Sequence, residues 1–128
     1  MQQKLNLLVI ENEELALQPI ATMAQGLGHH VIRSEGSEHP IIMMNAWREY
    51  VQVIVLDWTL SCCVYGGKLV AALHAIDPCV PFVIASGYAD HVVRPLLPKE
   101  AEVRVIIKPF LAFDFENNLR LSHPKTLR

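Results

Sequence analysis

The sequence predicts a doubly wound α/β fold built on a five-stranded parallel sheet. Apolar runs rich in β-branched residues lack strict polar–apolar alternation, as expected of strands that are covered on both faces. These runs lie near residues 5–10, 51–56, 80–85 and 103–107, and a shorter strand is expected at 30–33. Helical patterns follow the runs. This fivefold alternation predicts right-handed crossovers, helices on both faces and a strand order such as 2-1-3-4-5.

The first two helical segments have clear apolar positions. Residues 13–27 carry a stripe of three-to-four spacing that ends at Gly28. Because Pro19 removes a backbone donor and crowds the preceding turn, we expect a kink or a late helix start there. The second helix is expected over 38–49, with most of an indole buried. Its inner face would carry Ile41, Ile42, Asn45, Ala46 and Trp47.

The next two crossovers are shaped by prolines. A third helix is predicted from 67 to 76 and should end before Asp77, because the residue before a proline disfavours the helical region. The following crossover, residues 88–100, contains Pro95 and Pro98. Only a short or irregular helix fits there.

The last helix is predicted over 111–121, and a tail follows it. Residues 122–128 are expected to fray, which leaves 1–121 as the folded domain. At 128 residues the chain has room for one domain. The side chains expected to face the sheet from the last helix are Leu111, Phe113, Phe115 and Leu119.

Composition and charge argue against several classes of protein. The chain is 52% hydrophobic and 19% charged with a net charge of −2, and its two signs are interspersed. It has no basic patch for nucleic acid. No apolar stretch approaches the ~18 residues that cross a bilayer, and residues 1–4 lack a secretory pattern. We therefore expect a cytoplasmic protein that binds neither membrane nor nucleic acid.

Polar residues stand where four of the predicted strands end. Glu11, Asp57, Ser86 and Lys108 each follow or close an apolar run. Ligands of open α/β sheets bind outside the carboxyl ends of the strands, so these groups should converge. Phosphoryl transfer to a carboxylate needs an oxygen nucleophile, a divalent cation and a cationic side chain. Asp57, a Mg²⁺ ion held by Asp57 and Glu11, and Lys108 match those roles.

Each of these residues also has a structural interpretation. An aspartate after a buried strand is often a turn or cap residue, as Asp57 would be. Lys108 would then cover the end of the sheet, and Ser86 would cap the next segment. Glu11 and Glu13 would be first-turn acids that favour the helix dipole. We favour this interpretation for Glu13, and the chemical one for the others because four strand ends match together.

Four segments of the chain resemble a known family. LVIENEE, IVLDW, PFVIASGY and IIKPF are similar, in order and spacing, to the signature segments of bacterial two-component response-regulator receiver domains. The resemblance implies a flavodoxin-like (CheY-like) fold and phosphorylation of an aspartate by a histidine kinase or histidine phosphotransferase. It makes Asp57 the phosphoacceptor, with Ser86 and Lys108 on the phosphoryl group. The implied Mg²⁺ ligands are Glu11, Asn12, Asp57 and the backbone carbonyl of Thr59.

One segment also resembles a subgroup of the family, whereas two positions differ from the family's usual residues. PFVIASGY is similar to the PFxFATGY segment of single-domain receivers. Asn12 stands where a metal-binding aspartate is usual, and because an amide oxygen carries no net charge, Mg²⁺ should bind weakly. Val105 stands where an aromatic switch residue is usual. The large side chain whose rotation often reports phosphorylation is therefore missing.

Three hypotheses for the function follow. The first is a phosphoaccepting receiver that works by binding partners, since no effector domain follows. The second is a pseudoreceiver that docks a partner with an impaired metal and phosphorylation site. The third is an aspartate-nucleophile phosphatase, which would need a second aspartate as a general acid at the position of Thr59. A flavin carrier would need phosphate donors where Glu11 and Glu13 lie, and we discount it.

The first hypothesis sets the expected partners. A sensor kinase or histidine phosphotransferase would supply the phosphoryl group, and a downstream protein would read it. Residues 88–115 adjoin Ser86 and contain a proline-broken helix, so they are the expected face for a partner or for self-association. No enzyme activity is expected beyond self-phosphorylation and autodephosphorylation.

Overall fold

The chain forms a five-stranded parallel sheet in the order β2-β1-β3-β4-β5, so the predicted strand order is confirmed. The structure, a computed structural model, describes residues 3–11, 19–34, 39–58 and 63–127. The strands are β1 Asn6–Ile10, β2 His30–Ser34, β3 Val53–Asp57, β4 Phe82–Ser86 and β5 Val103–Ile107. The helices are α1 Ile20–Gly26, α2 His39–Trp47, α3 Cys63–Ile76, α4 Asp90–Val93 and α5 Ala112–Leu121, and a 3₁₀ turn, Arg94–Leu96, continues α4.

Helices cover both faces of the sheet. Successive strand residues point to opposite faces, and two apolar clusters form there. On one face Ile54 and Phe82 pack with side chains of α2, α3 and α4. On the other, Val55 packs with α1 and with Phe115 of α5. Strands buried on both faces explain why the apolar runs of the sequence show no alternation. In the described ranges, no helix is long and apolar enough to cross a membrane.

The first helix begins late, as Pro19 predicts. Pro19 has an extended backbone, and α1 begins at the next residue. The helix ends at Gly26, two residues before Gly28, whose φ of 93° lies in the left-handed region that favours glycine. Residues 13–18, the remainder of the predicted helix, lie outside the described part of the chain.

The predicted inner face of α2 is wrong except at Ile41, which is partly buried and packs against the core. The side chains that α2 buries are Pro40 and Met44, whereas Ile42 is exposed. Trp47 is 42% exposed and meets the ring of Tyr50 edge to face, so most of its indole is not buried. The helix carries apolar residues around most of its circumference, and periodicity alone therefore does not determine which face packs inward.

The prediction for α5 is correct for two residues and wrong for two. Phe115 and Leu119 are fully buried, but Leu111 and Phe113 are 72% and 76% exposed. Leu111 precedes the helix as its N-cap residue. Phe113 lies two positions before Phe115, which places the two rings on nearly opposite sides of a helix with 3.6 residues per turn. Two large apolar side chains are consequently left on the surface.

The expectation of a frayed tail is corrected for residues 122–125. Lys125 donates its backbone N–H to the carbonyl of Gln52, and the Gln52 side chain donates back to the carbonyl of Lys125. The ammonium of Lys125 donates to Asp77 at 2.6 Å. Ser122 is fully buried. These contacts join parts of the chain that are far apart in sequence, at the edge of the sheet opposite the predicted site. Local sequence patterns do not predict them.

The Asp77–Lys125 pair gives a pH-dependent prediction. Burial favours a raised pKa for Asp77, but hydrogen bonds from Lys125 and from the Cys79 N–H outweigh it, so the pKa lies below its ordinary value of 3.8. We expect Asp77→Asn, which keeps an acceptor for Cys79, to lower the free energy of unfolding by about 1 kcal/mol at neutral pH. Urea unfolding followed by circular dichroism measures this.

The sign of the pH dependence follows from the lowered pKa. A carboxylate with a lowered folded pKa stabilises the fold above its unfolded pKa, and this contribution disappears as the pH falls through the folded value. The loss in Asp77→Asn should therefore shrink well below pH 3.8. Lys125→Gln is the matched control and should show a similar loss at neutral pH. An equal loss in Asp77→Asn at both pH values would contradict this assignment.

Candidate functional site

The four residues predicted at strand ends all lie at the carboxyl edge of the sheet. Asp57 closes β3 and Ser86 closes β4. Glu11 follows β1, and Lys108 follows β5. A parallel sheet places the ends of its strands at one edge, so the expected convergence is confirmed at the level of position. Asp57, Ser86 and Glu11 are all buried.

Asp57 and Lys108 form an ion pair. Lys108 Nζ donates to Asp57 Oδ1 at 2.5 Å, with 1% of the aspartate side chain and 17% of the lysine side chain exposed. The backbone N–H of Lys108 donates to the carbonyl of Ser86 at 2.7 Å and thereby extends the β4–β5 ladder. The Lys108-Pro109 peptide is cis. The lysine thus reaches past β4 to place a cation on a buried carboxylate of β3.

The Ser86 hydroxyl lies at the start of the loop that leads to α4. Its oxygen accepts a hydrogen bond of 2.8 Å from the backbone N–H of Tyr88. This bond closes a turn within the loop, and Ser86 does not cap α4, whose N-cap residue is Ala89. Because a hydroxyl has one donor and two acceptor positions, the bond still leaves the proton able to donate to another oxygen.

Glu11 caps α1. Its two carboxylate oxygens accept hydrogen bonds from the N–H groups of Ile20 at 3.0 Å and Ala21 at 2.8 Å. Pro19, the residue at the N-cap, makes no side-chain cap bond. The N–H groups of the first turn therefore donate to Glu11, which follows β1, instead of to the N-cap residue. A carboxylate there also meets the positive end of the helix dipole. The sequence favoured a first-turn acid as the structural interpretation of Glu11, whereas the structure has a buried carboxylate that caps α1 from outside the helix.

The described residues provide part of a metal-ligand set. Asp57 and Glu11 offer the hard oxygen donors that Mg²⁺ prefers, and one or two carboxylates with waters are enough for this ion. The other two predicted ligands, Asn12 and Thr59, lie outside the described residues, as does Glu13. Among the residues that the structure places, no group of three His, Cys, Asp or Glu side chains is arranged to hold a metal.

The predicted partner face, residues 88–115, carries six large apolar side chains that are exposed. This set, which we call the apolar patch, lies within residues 88–115, and its members come from α4, β5 and the surroundings of α5. They are Tyr88, Val92, Leu96, Ile107, Leu111 and Phe113. Large exposed apolar surfaces are typical of sites that bind other proteins.

Comparison with known proteins identifies the fold. The chain matches no protein-family model and no curated protein. Among solved structures, a response regulator receiver domain protein from Clostridium thermocellum is similar with a TM-score of 0.77 and 18% identity, over 92% of this chain and 93% of that one. The chemotaxis protein CheY4 of Vibrio cholerae gives 0.76 and 14%, over 94% and 99%.

A third similar structure contains a metal and a second protein. It is the CheX-CheY-BeF3-Mg²⁺ complex from Borrelia burgdorferi, with a TM-score of 0.73 and 15% identity over 91% of this chain and 87% of that one. The predicted CheY-like, flavodoxin-like fold is therefore confirmed. Identities this low show the fold alone, and the resemblance to the PFxFATGY subgroup stays a prediction.

The cap formed by Glu11 can be tested by substitution. Glu11→Ala leaves the N–H groups of Ile20 and Ala21 without these acceptors, so we expect it to lower the free energy of unfolding by about 1–2 kcal/mol. Glu11→Gln keeps one acceptor oxygen and should lose roughly half as much. Urea unfolding gives the free energies, and amide exchange at Ile20 and Ala21 should speed up. Unchanged exchange at those two amides would show that Glu11 does not cap α1.

Proposed function

We propose that the chain is a response-regulator receiver that accepts a phosphoryl group on Asp57. The observation that carries the proposal is the ion pair of buried Asp57 with partly buried Lys108 at the carboxyl edge of a CheY-like sheet. A buried carboxylate with a lysine on one oxygen fits a nucleophile whose product needs a nearby cation. The fold similarity to receiver domains and the order of the four signature segments support the same assignment.

The proposed reaction is an in-line phosphoryl transfer. A carboxylate oxygen of Asp57 attacks the phosphorus of a phosphohistidine, the P–N bond breaks, and the donor imidazole keeps the electron pair. The product is an aspartyl phosphate and a free histidine. Lys108 then has phosphoryl oxygens as new acceptors, and the proton of the Ser86 hydroxyl can donate to another. Movement of Ser86 would pull on the bond from Tyr88 and so on the loop that precedes α4.

The donor set fits Mg²⁺ as the metal of this site. Asp57 and Glu11 would hold it, together with Asn12 and the carbonyl of Thr59 if the resemblance to receivers extends to them. A bound Mg²⁺ would neutralise charge on the phosphoryl oxygens. Glu11 already accepts two N–H bonds, and Asn12 adds no charge, so we expect weak binding.

The proposal includes partners of two kinds. A histidine kinase or histidine phosphotransferase donates the phosphoryl group, and a downstream protein or a second copy binds the apolar patch. CheX is one protein that a structurally similar CheY accompanies in a complex. Under this proposal the chain catalyses no reaction beyond its own phosphorylation and dephosphorylation, and it acts in the cytoplasm.

The proposed acceptor is tested by mass. We expect incubation with acetyl phosphate and Mg²⁺ to add one phosphoryl group to the native chain, because a small phosphodonor can replace the kinase at a preorganised carboxylate. Intact-protein mass spectrometry measures the gain. Asp57→Asn, which retains size and loses the nucleophile, should show none, while Asp114→Asn at an exposed position of α5 should match the native chain.

Two results would contradict this part of the proposal. The native chain could gain no mass under conditions that leave it folded, or Asp57→Asn could gain as much as the native chain. Peptide mapping of the modified residue distinguishes a second acceptor from an unreactive site.

The alternative is a pseudoreceiver, and the cap formed by Glu11 is the observation that favours it. With Glu11 engaged and Asn12 neutral, the site could lack the charge to bind Mg²⁺ and react. Asn12→Asp restores one charge near the metal, and since a residual Coulomb gain on the order of 1–2 kcal/mol remains after desolvation, we expect it to tighten Mg²⁺ binding roughly tenfold. Phosphorylation should become faster as well.

Fluorescence of Trp58 can report the titration. Trp58 directly follows Asp57 and is buried, and Trp47→Phe removes the second, exposed indole. The Mg²⁺ affinity of Asn12→Asp should be compared with that of the protein with the native Asn12, both carrying Trp47→Phe. If the proteins with Asn12 and with Asn12→Asp bind Mg²⁺ equally tightly, another ligand such as Glu13 has taken the place of residue 12, and our assignment of the metal ligands is wrong. If only Asn12→Asp is phosphorylated, the pseudoreceiver is the correct description.

A further inference from the structure

Helix α3 approaches the backbone of the 3₁₀ turn after α4 closely at Gly67. A Cβ atom built on Gly67 would overlap the carbonyl oxygen of Leu96 and lie 3.4 Å from its carbonyl carbon. Real side chains do not tolerate such an overlap, so only glycine allows this approach. Neither partner contributes a flexible side chain to the contact. A shift of one backbone must therefore move the other or separate the two.

The segment that rests on Gly67 is held at few points. Val93 and Leu97 are buried against the sheet, and Arg94 donates to Asp90 at 2.8 Å and to the carbonyl of Val103 at 3.0 Å. The helix is only four residues long, and a proline follows in the 3₁₀ turn. Segments with few backbone hydrogen bonds open easily. A displacement at Leu96 would accordingly spread through residues 90–97.

Residues 90–97 carry part of the apolar patch. Helix α3, which they contact, is the next element in the sequence after the strand that ends at Asp57. Val92 and Leu96 are exposed while their neighbours Val93 and Leu97 are buried. The backbone contact at Gly67 therefore joins the helix that follows β3 in the sequence to a segment with exposed apolar side chains.

We infer that Gly67 is a positioning residue through which the state of Asp57 is passed from α3 to residues 90–97. This inference rests on the proposed phosphorylation of Asp57 for its trigger, and on the contact between Gly67 and Leu96 for its route. A change at Asp57 that displaces α3 moves the Leu96 carbonyl with it. The apolar patch is rearranged as a result, and a partner that binds it can distinguish the two states.

The contact is tested first in the unphosphorylated chain. Within a helix, Gly→Ala by itself stabilises, so a loosened neighbouring segment would be an effect of opposite sign. We expect Gly67→Ala to speed exchange at the amides of Val92, Val93 and Leu97 roughly tenfold, with β3 unchanged. Gly26→Ala, where nothing lies within 4 Å, is the matched control and should leave these amides unchanged. Exchange within about twofold of the native rate in Gly67→Ala would overturn the inference.

The trigger is tested with beryllofluoride and Mg²⁺ as the phosphoryl mimic. In the native chain we expect the mimic to change exchange at Val92, Val93 and Leu97, and in Gly67→Ala we expect this change to be lost while the mimic still binds. A merely structural glycine would leave the response intact, and that result would overturn the inference. If the native chain binds no mimic and gains no phosphoryl mass, the proposed function fails, yet the exchange of unmodified Gly67→Ala still decides whether the contact exists.

A measurement on the native chain covers the case in which Gly67→Ala does not fold. The amide resonance of Leu97 reports the peptide that contains the Leu96 carbonyl, and Gly67 has its own amide resonance. The inference requires both to shift over the same range of added mimic. A shift at Leu97 with none at Gly67 would show that the signal reaches the segment by another route.

Discussion

The ion pair between Asp57 and Lys108 is the interaction on which the site depends. Strand β4 lies between the two strands that carry these residues, so the lysine must reach over the end of β4 to meet the aspartate. It can do so because its own N–H continues the ladder with Ser86. A charged carboxylate is costly to bury without a partner. Lys108 supplies that partner and is also the cation that a phosphoryl group on Asp57 would require.

Glu11 connects the site to the fold in a second way. The carboxylate expected to help bind Mg²⁺ already satisfies the first two N–H groups of α1. An oxygen that accepts one hydrogen bond retains a lone pair for a cation, but its position is then set by the helix. Metal binding and the start of α1 are therefore coupled under the proposed function. This coupling gives a physical reason, besides the neutral side chain of Asn12, for a weak metal site.

Much of the architecture could be predicted from the sequence because it depends on local patterns. Buried parallel strands give unbroken apolar runs, Pro19 marks the start of α1, and polar residues at strand ends meet at one edge. The missed features depend on tertiary context. The apolar circumference of α2 left its inward face undetermined, and Trp47 lies on the surface. The long-range bonds of Lys125 have no local signal at all. The roles of Asp57, Ser86 and Lys108 stay predictions that their positions support.

A crystal structure of the chain with beryllofluoride and Mg²⁺ tests the central claim most directly. The account predicts the beryllofluoride group on a carboxylate oxygen of Asp57, with Lys108 Nζ and the Ser86 hydroxyl donating to its fluorines and Mg²⁺ beside Glu11. A structure obtained at saturating beryllofluoride with Asp57 unmodified and still paired with Lys108 as it is now would contradict it. So would a group bound at any other carboxylate.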